Sequence, residues 1–329
     1  VDTNRFPNGL RAISDYAHNR GVRTIVWFEP ERVAADTWLT NTHPDWVHGG
    51  TAGGLLKLGE PAVLEWVTNH IDGLIESQGV DLYRQDFNMD PLDSWRAEDK
   101  PDRQGIAEIR HVTNYLAYWD ELRRRHPNML IDSCASGGRR NDLETLRRAV
   151  PLLRSDFLLE PISQQNHTYG IAFWMPFYGT GINQFDAYSL RSCLCPHVTA
   201  CYDLRRQDQD YNPIRSMLRQ WREEIAPNYR GDYYPLTPYS MDDNVWVAWQ
   251  FNRPELGQGM VQAFRRAQCE EGATLVRLRG LDPDARYRLT NLDTDRTKTL
   301  PGRELLEQGL RVETDKQPDA VVVTYERVH

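Results

Sequence analysis

The chain has 329 residues, 40% hydrophobic and 26% charged, which is ordinary globular composition with room for one large domain and a small one. Its formal charge is −8, with Lys and Arg scattered and no basic stripe, which argues against a nucleic-acid partner and suits a neutral polar substrate. No apolar run approaches the roughly 18 to 20 residues of a membrane-spanning helix.

The first two thirds alternate short apolar runs with longer amphipathic stretches, the pattern of βα units and a parallel sheet. Residues 6–20 read as a helix stopped by Gly21. Arg23–Phe28 is a predicted strand followed by Glu-Pro-Glu. Residues 60–78 place Val63, Leu64, Val67, Ile71, Leu74 and Ile75 on one helical face. Asp81–Asp86 is the next strand, and residues 104–126 form a long helix with Ile106, Ile109, Val112, Leu116 and Leu122 near helical spacing. Met129–Cys134 is a strand, and Asp142 is the expected N-cap of the helix after it. Leu152–Phe157, Ile171–Met175 and Val198–Leu204 complete six strand candidates, with a helix from about Asn212 to Ile225. Six strands with polar residues at their C-terminal ends fit a (β/α)8 barrel whose first two βα units lie upstream of Val1. An open doubly wound sheet is the alternative. After Gly231, short alternating runs separated by Asn, Asp, Gly and Pro read as an antiparallel β-sandwich. The expected division is therefore a barrel portion over residues 1–230 and a sandwich over residues 231–329.

Asp86 and Asp156 end two strands that are not neighbours, so both carboxyl groups would point into a barrel mouth. Retaining cleavage of a glycosidic bond requires such a pair, about 5 to 5.5 Å apart, one attacking and one protonating the leaving oxygen. The commoner role of an Asp after a strand is a helix N-cap or turn former. Arg84, two residues before Asp86, would set a cation beside the carboxylate and keep it ionised. It also reads as an ordinary salt-bridge partner. Glu29 and Glu31 flank Pro30 and suit the start of a helix. The glycines after Cys134 would let backbone N–H groups approach a ligand, but no Lys-Ser/Thr follows, so this is no phosphate loop. Five cysteines at irregular spacing make no disulfide framework, and neither they nor the nine His residues have metal-ligand spacing.

At these residues the sequence resembles the family 36 glycoside hydrolases, the microbial α-galactosidase or melibiase family. WFEPERV at Trp27–Val33, YRQDFN at Tyr83–Asn88, CASGGRRND at Cys134–Asp142 and RSDF at Arg154–Phe157 follow the order and approximate spacing of four family segments. The resemblance implies a barrel built from its third to eighth strands, a C-terminal β-sandwich, and retaining double displacement at a terminal α-linked galactose, without cofactor or metal. It implies Asp86 as nucleophile and Asp156 as acid/base. Trp27 would be an apolar wall of the sugar pocket, Arg84 would stand where the family has a hydroxyl-binding Lys, and Cys134 with Gly137 would lie near the C2 substituent.

Arg84 replaces that Lys, Gln85 replaces a Trp, and Thr51–Pro61 lacks an Arg the family commonly carries. Such departures resemble a subgroup that includes α-N-acetylgalactosaminidases, so the expected partner is an α-galactoside or an α-N-acetylgalactosaminide glycan. Self-association is compatible with the sequence. A non-catalytic carbohydrate-binding protein and a transglycosylase are the readings from other classes. Cysteine usage makes a reduced, cytoplasmic chain the default; the start at Val1, without Met and inside a structured segment, leaves secretion open.

Overall fold

The computed structural model describes every residue except Leu158, Leu159, Asp295 and His329. By contact density the chain divides into two compact units, Val1–Asp156 and Phe157–His329.

In the first unit, strands Ile25–Phe28, Leu82–Gln85 and Leu130–Ser133 form a parallel sheet with Leu82–Gln85 in the middle. Val150 continues it through a parallel bridge to Asp132. Parallel neighbours need helical crossovers, and two helices supply them, Pro61–Gln78 and Ile106–Arg125. Pro61 opens the first at the position where a missing N–H costs nothing, and Gly79 closes it at φ +65°. Its buried stripe of Val63, Val67, Ile71 and Ile75 is the one its spacing predicts.

The second helix departs from expectation. Ile109 is 61% exposed and Val112 is 40% exposed, while Ala107, His111, Tyr115, Tyr118, Trp119 and Leu122 turn inward. The buried face carries large aromatic rings and polar groups that reach partners on the sheet. Tyr118 donates to the Tyr83 hydroxyl at 2.8 Å and Trp119 Nε1 to Gln85 Oε1 at 2.7 Å. Big rings bury more area than the aliphatic stripe, and their polar ends are satisfied.

Asp142 caps the short helix Leu143–Leu146 through the Thr145 N–H, as its sequence suggests. Two strand expectations are corrected. Residues 152–157 form no strand, because the sheet position is taken two residues earlier by Val150. Residues 171–175 end the helix Pro161–Ile171 and turn, and the strand comes later, at Gly179–Ile182. Pro30 and its acidic neighbours open no helix either, since Arg32–Val33 is a short strand paired with Gly54–Leu55.

In the second unit Gly179–Ile182 pairs in parallel with His197–Ala200. Helix Asn212–Gln220 runs on as a π-helical turn, Trp221–Ile225, as far as the sequence predicts, and a 3-10 segment, Ala226–Arg230, leads to a six-stranded antiparallel sheet. Its order is Thr297–Pro301, Arg286–Asn291, Asp319–Val328, Gln258–Arg265, Trp246–Arg253 and Asp232–Pro235. Alternation sends Ala248, Val261, Ala263, Val321 and Val323 to one face, where they pack with Val276, Leu310 and Val312 of a two-stranded sheet. Val247, Trp249, Phe251, Phe264 and Val322 line the other face with Ile225 and Tyr229. Asp232–Pro235 and Thr297–Pro301 carry too little alternation to be seen in the sequence, and Leu310–Glu313 alternates but is only four residues long. Among the described residues no helix is long and apolar enough to cross a membrane.

Candidate active site

Asp86 follows the central strand of the first unit directly, and its backbone N–H continues the ladder to Phe28 O at 2.9 Å. Strand alternation sets Tyr83 and Gln85 toward the helices and Arg84 and Asp86 toward the opposite face. The Asp86 carboxyl is 9% exposed and well furnished with donors. Phe87 N–H reaches Oδ1 at 2.8 Å, Ser136 N–H reaches Oδ1 at 3.2 Å, and the Trp27 indole N–H reaches Oδ2 at 3.2 Å. Burial pushes this carboxyl up, but hydrogen bonds from the Asn88 side chain, Phe87, Trp27 and Ser136 outweigh it and hold Asp86 below the usual carboxylate range.

The expected cation is present, since the charges of Arg84 and Asp86 act on each other, but it is not the leading cause. Arg84 does not hydrogen-bond Asp86; its guanidinium is paired with Asp132, which stands opposite it in the parallel register. Asp132 is buried and also accepts the Leu152 N–H at 2.8 Å. Burial works against the Arg84 charge, and the field and hydrogen bond of Asp132 more than restore it.

The segment after Leu130–Ser133 is the second half of the site. Cys134 N–H donates to Gln85 O at 2.8 Å, bringing the glycine loop against Asp86. Burial pushes the Cys134 thiol up to about 11, with the Gly137 N–H opposing and the Asp86 carboxylate adding to the rise. Ser136, Gly137 and Gly138 have φ of +44°, +80° and +122°, a left-handed run that only the two glycines adopt without strain. At Gly137 the reason is close approach. A Cβ there would stand 3.0 Å from Asp156 Cγ, Oδ2 and N. Adjacent residues of one loop therefore meet both aspartates: Ser136 bonds Asp86, and Gly137 lies against Asp156.

Asp156 itself is exposed, in irregular chain after the Val150 bridge rather than at a strand end. Its backbone path is held by Asn141, whose Nδ2 donates to Arg154 O at 3.2 Å. Trp27 is 50% exposed, and it contributes a hydrogen-bond donor to Asp86 as well as an apolar face. The six residues singled out from the sequence thus fall in one unit. Asp86, Trp27, Cys134, Gly137 and Asp156 are joined by contacts, and Arg84 sits on the same strand, turned to Asp132.

Four contributors escape sequence reasoning. Ser136 acts through its backbone, and Asn88 lies in irregular chain two residues after Asp86. Glu31 and Arg140 form a buried pair whose guanidinium donates to both carboxylate oxygens at 2.7 Å. The clue to Glu31 was its place in a dense acidic pair next to Pro30, where a helix start was the simpler explanation. Among the described residues no group of three His, Cys, Asp or Glu could hold a metal ion.

The chain is similar to several known proteins. A curated α-galactosidase of Lactobacillus acidophilus is 24% identical over 93% of this chain and 44% of its own length. The α-galactosidase structure of Lactobacillus brevis superposes with a TM-score of 0.82 at 20% identity, covering 100% of this chain and 48% of that one. A family 36 α-galactosidase of Geobacillus stearothermophilus, solved with raffinose, gives 0.81 at 20% identity, covering 98% and 47%. At that identity the likeness shows the fold, a (β/α)8 barrel class with a C-terminal antiparallel sheet domain. The chain spans less than half the length of these relatives. The melibiase family model matches residues 1–183 and the model of the glycosyl hydrolase family 36 C-terminal domain matches residues 246–324. The chain belongs to the melibiase family, the α-galactosidase family 36 of the glycoside hydrolases.

Proposed function

We propose that this chain carries the reacting carboxyl groups of a retaining exo-α-galactosidase, with Asp86 as nucleophile and Asp156 as general acid/base. The observation that carries the reading is the Ser136–Gly137 dipeptide, which bonds the first carboxylate and lies against the second. Two carboxyl groups tied to one loop have a fixed relative placement, which a double displacement requires. Their surroundings also differ in the useful direction. Asp86 is buried among donors that favour its ionised form, and Asp156 is open to the solvent that must supply the second-step water.

The steps follow from this arrangement. Oδ2 of Asp86, beside the half-exposed Trp27 ring, attacks the anomeric carbon while Asp156 delivers a proton to the departing oxygen. Oδ1 keeps its two backbone N–H bonds throughout, so the carboxylate turns little during attack. Asp156 then takes a proton from water, which attacks the same carbon from the face the aglycone left; the bond from that carbon to Asp86 breaks, the carboxylate is released, and the anomeric configuration is retained. Because Arg84 is engaged by Asp132, we read it as a pocket cation of fixed orientation, with only its remaining N–H groups open to a sugar hydroxyl.

The substrate class is a terminal α-galactoside. This is supported by the α-galactosidase names of the relatives and by the raffinose complex of the Geobacillus protein. The test is p-nitrophenyl α-galactoside against its N-acetylgalactosaminide, with the anomer of the first product followed by NMR. We expect faster turnover of the galactoside, α-galactose as first product, and a loss of at least about a thousandfold in Asp86→Asn. Preference for the N-acetylgalactosaminide would keep the mechanism and change the sugar. Galactose binding without turnover would make the chain a lectin-like binder and end the proposal.

A further inference from the structure

Glu31 is 1% exposed, yet neither of the proposed chemical steps uses it. It lies at the centre of a buried polar cluster. Arg140 donates to both of its oxygens at 2.7 Å, Gln85 Nε2 to Oε2 at 2.7 Å, and His111 Nε2 lies 2.8 Å from Oε1. Burial raises this carboxyl, but the charge and hydrogen bonds of Arg140, with those of His111, hold it far below the carboxylate range. The Arg140 guanidinium also lies over two rings, 4.4 Å from the centroid of Phe87 and 4.0 Å from that of Tyr115.

These partners lie beside the reacting groups in the chain. Gln85 and Phe87 are the residues immediately before and after Asp86. Glu31 holds the first through its amide and Arg140 covers the second with its cation. Arg140 is also the anchor of the loop that begins at Cys134, the loop whose Ser136 N–H bonds Asp86 and whose Gly137 lies against Asp156. Ser136 adds a second tie, its Oγ donating to Phe87 O at 3.1 Å. One ion pair thus grips both sides of the nucleophile and the loop that touches the acid/base.

We propose that Arg140, held by Glu31, is a positioning residue that sets the placement of Asp156 relative to Asp86. The proposal rests on the roles assigned to these two aspartates. A bidentate fork on a buried carboxylate has one geometry, whereas a Lys ammonium at the same place makes a point contact and leaves the loop free to slide. Displacing reacting groups by about 1 Å costs on the order of a hundredfold in rate. The loss appears in kcat, because the sugar pocket itself is intact.

The test uses the full chain with a series of aryl α-galactosides whose leaving phenols span a range of acidity. Arg140→Lys and Glu31→Gln are expected to lower kcat by about 10- to 100-fold, to change KM by less than about threefold, and to steepen the dependence on leaving group. Each of these leaves one buried charge poorly paired, so the double variant Glu31→Gln/Arg140→Met, which removes both charges, serves as the well-folded case. It should show the same loss in kcat at near wild-type melting behaviour. A folded variant of this set with kcat within about threefold of wild type and an unchanged leaving-group slope overturns the proposal. Asp86→Asn in the same assay separates the two ideas. If it is inactive while Arg140→Lys is fully active, the clamp alone is wrong; if it retains turnover, the nucleophile assignment fails and the clamp has nothing to position.

Discussion

Gly137→Ala is the smallest change that separates the two aspartates' roles. The new methyl group would sit 3.0 Å from Asp156 Cγ, Oδ2 and N, and φ at this position is +80°. Holding a Cβ in left-handed conformation costs about 1–2 kcal/mol. A contact of 3.0 Å is tighter than a Cβ ordinarily makes, so Asp156 must give way by roughly a few tenths of an ångström. Since a misplacement of about 1 Å costs about a hundredfold where the moved group is needed, this smaller one costs roughly tenfold. In the first step, which kcat/KM reports, Asp156 is needed only when the leaving oxygen requires a proton. The variant should therefore lose roughly tenfold in kcat/KM on an alkyl α-galactoside or raffinose, and less than about threefold on 2,4-dinitrophenyl α-galactoside. Gly79→Ala is the control. Gly79 has φ +65° at the end of a helix, and its added Cβ would meet Ser14 Cβ at 3.1 Å. It should lower stability to urea by a similar 1–2 kcal/mol and leave the leaving-group dependence untouched. Equal losses on the alkyl and dinitrophenyl substrates in Gly137→Ala would refute the assignment of Asp156 as acid/base.

Other consequences follow from individual side chains. Trp27→Phe removes one donor from Asp86, whose carboxyl the donors hold below its ordinary value. With the donor gone its pKa rises toward that value, so the acid limb of the kcat/KM profile should move to higher pH; an unmoved limb would mean that Asp86 does not set it. Gln85→Leu deprives Trp119 Nε1 and Tyr83 of their acceptor inside a buried network. It should cost about 2–4 kcal/mol in urea unfolding, from unsatisfied groups at about 1–3 kcal/mol each, and a loss below 1 kcal/mol would contradict the network. Cys201 is the only exposed cysteine among the described residues, whereas the Cys134 thiol is buried and pushed up to about 11. Burial also pushes the Cys201 thiol up, so a maleimide near neutral pH should label it slowly but well ahead of Cys134, with activity retained; peptide mapping that found Cys134 labelled first would contradict its burial.

What was legible in the sequence was whatever depends on near neighbours in the chain. The strand carrying Asp86 and the helix after Pro61 follow from local apolar spacing, and both lie where that spacing puts them. Asp142 is a helix cap three residues from its partner, and it too was readable. Asp156 was legible only through the resemblance of its motif, because the strand that seemed to deliver it is replaced by the Val150 bridge and irregular chain. The failures have a common physical cause. Arg84 lies two residues from Asp86, and proximity in sequence suggested a pair, but the sheet register sets it opposite Asp132, forty-eight residues away. The inward face of Ile106–Arg125 was misassigned because aliphatic periodicity competes there with a second periodicity of Ala, His, Tyr and Trp. What decides between them is the polar surface waiting on the sheet, namely Tyr83, Gln85 and Glu31.

Gln85, which stands where the resemblance sets a Trp, faces away from Asp86 into this buried network. On the proposed mechanism its replacement alters the support of Asp86 and not the surface a sugar would touch. Arg84 is on the opposite, Asp86-bearing face, so of the two adjacent replacements it is the one able to alter sugar choice. Substituting Arg84→Lys should therefore change the ratio of galactoside to N-acetylgalactosaminide turnover. Gln85→Leu should leave that ratio fixed while lowering stability. If Gln85→Leu alters sugar preference and Arg84→Lys does not, the division of the strand into a supporting face and a substrate face is wrong.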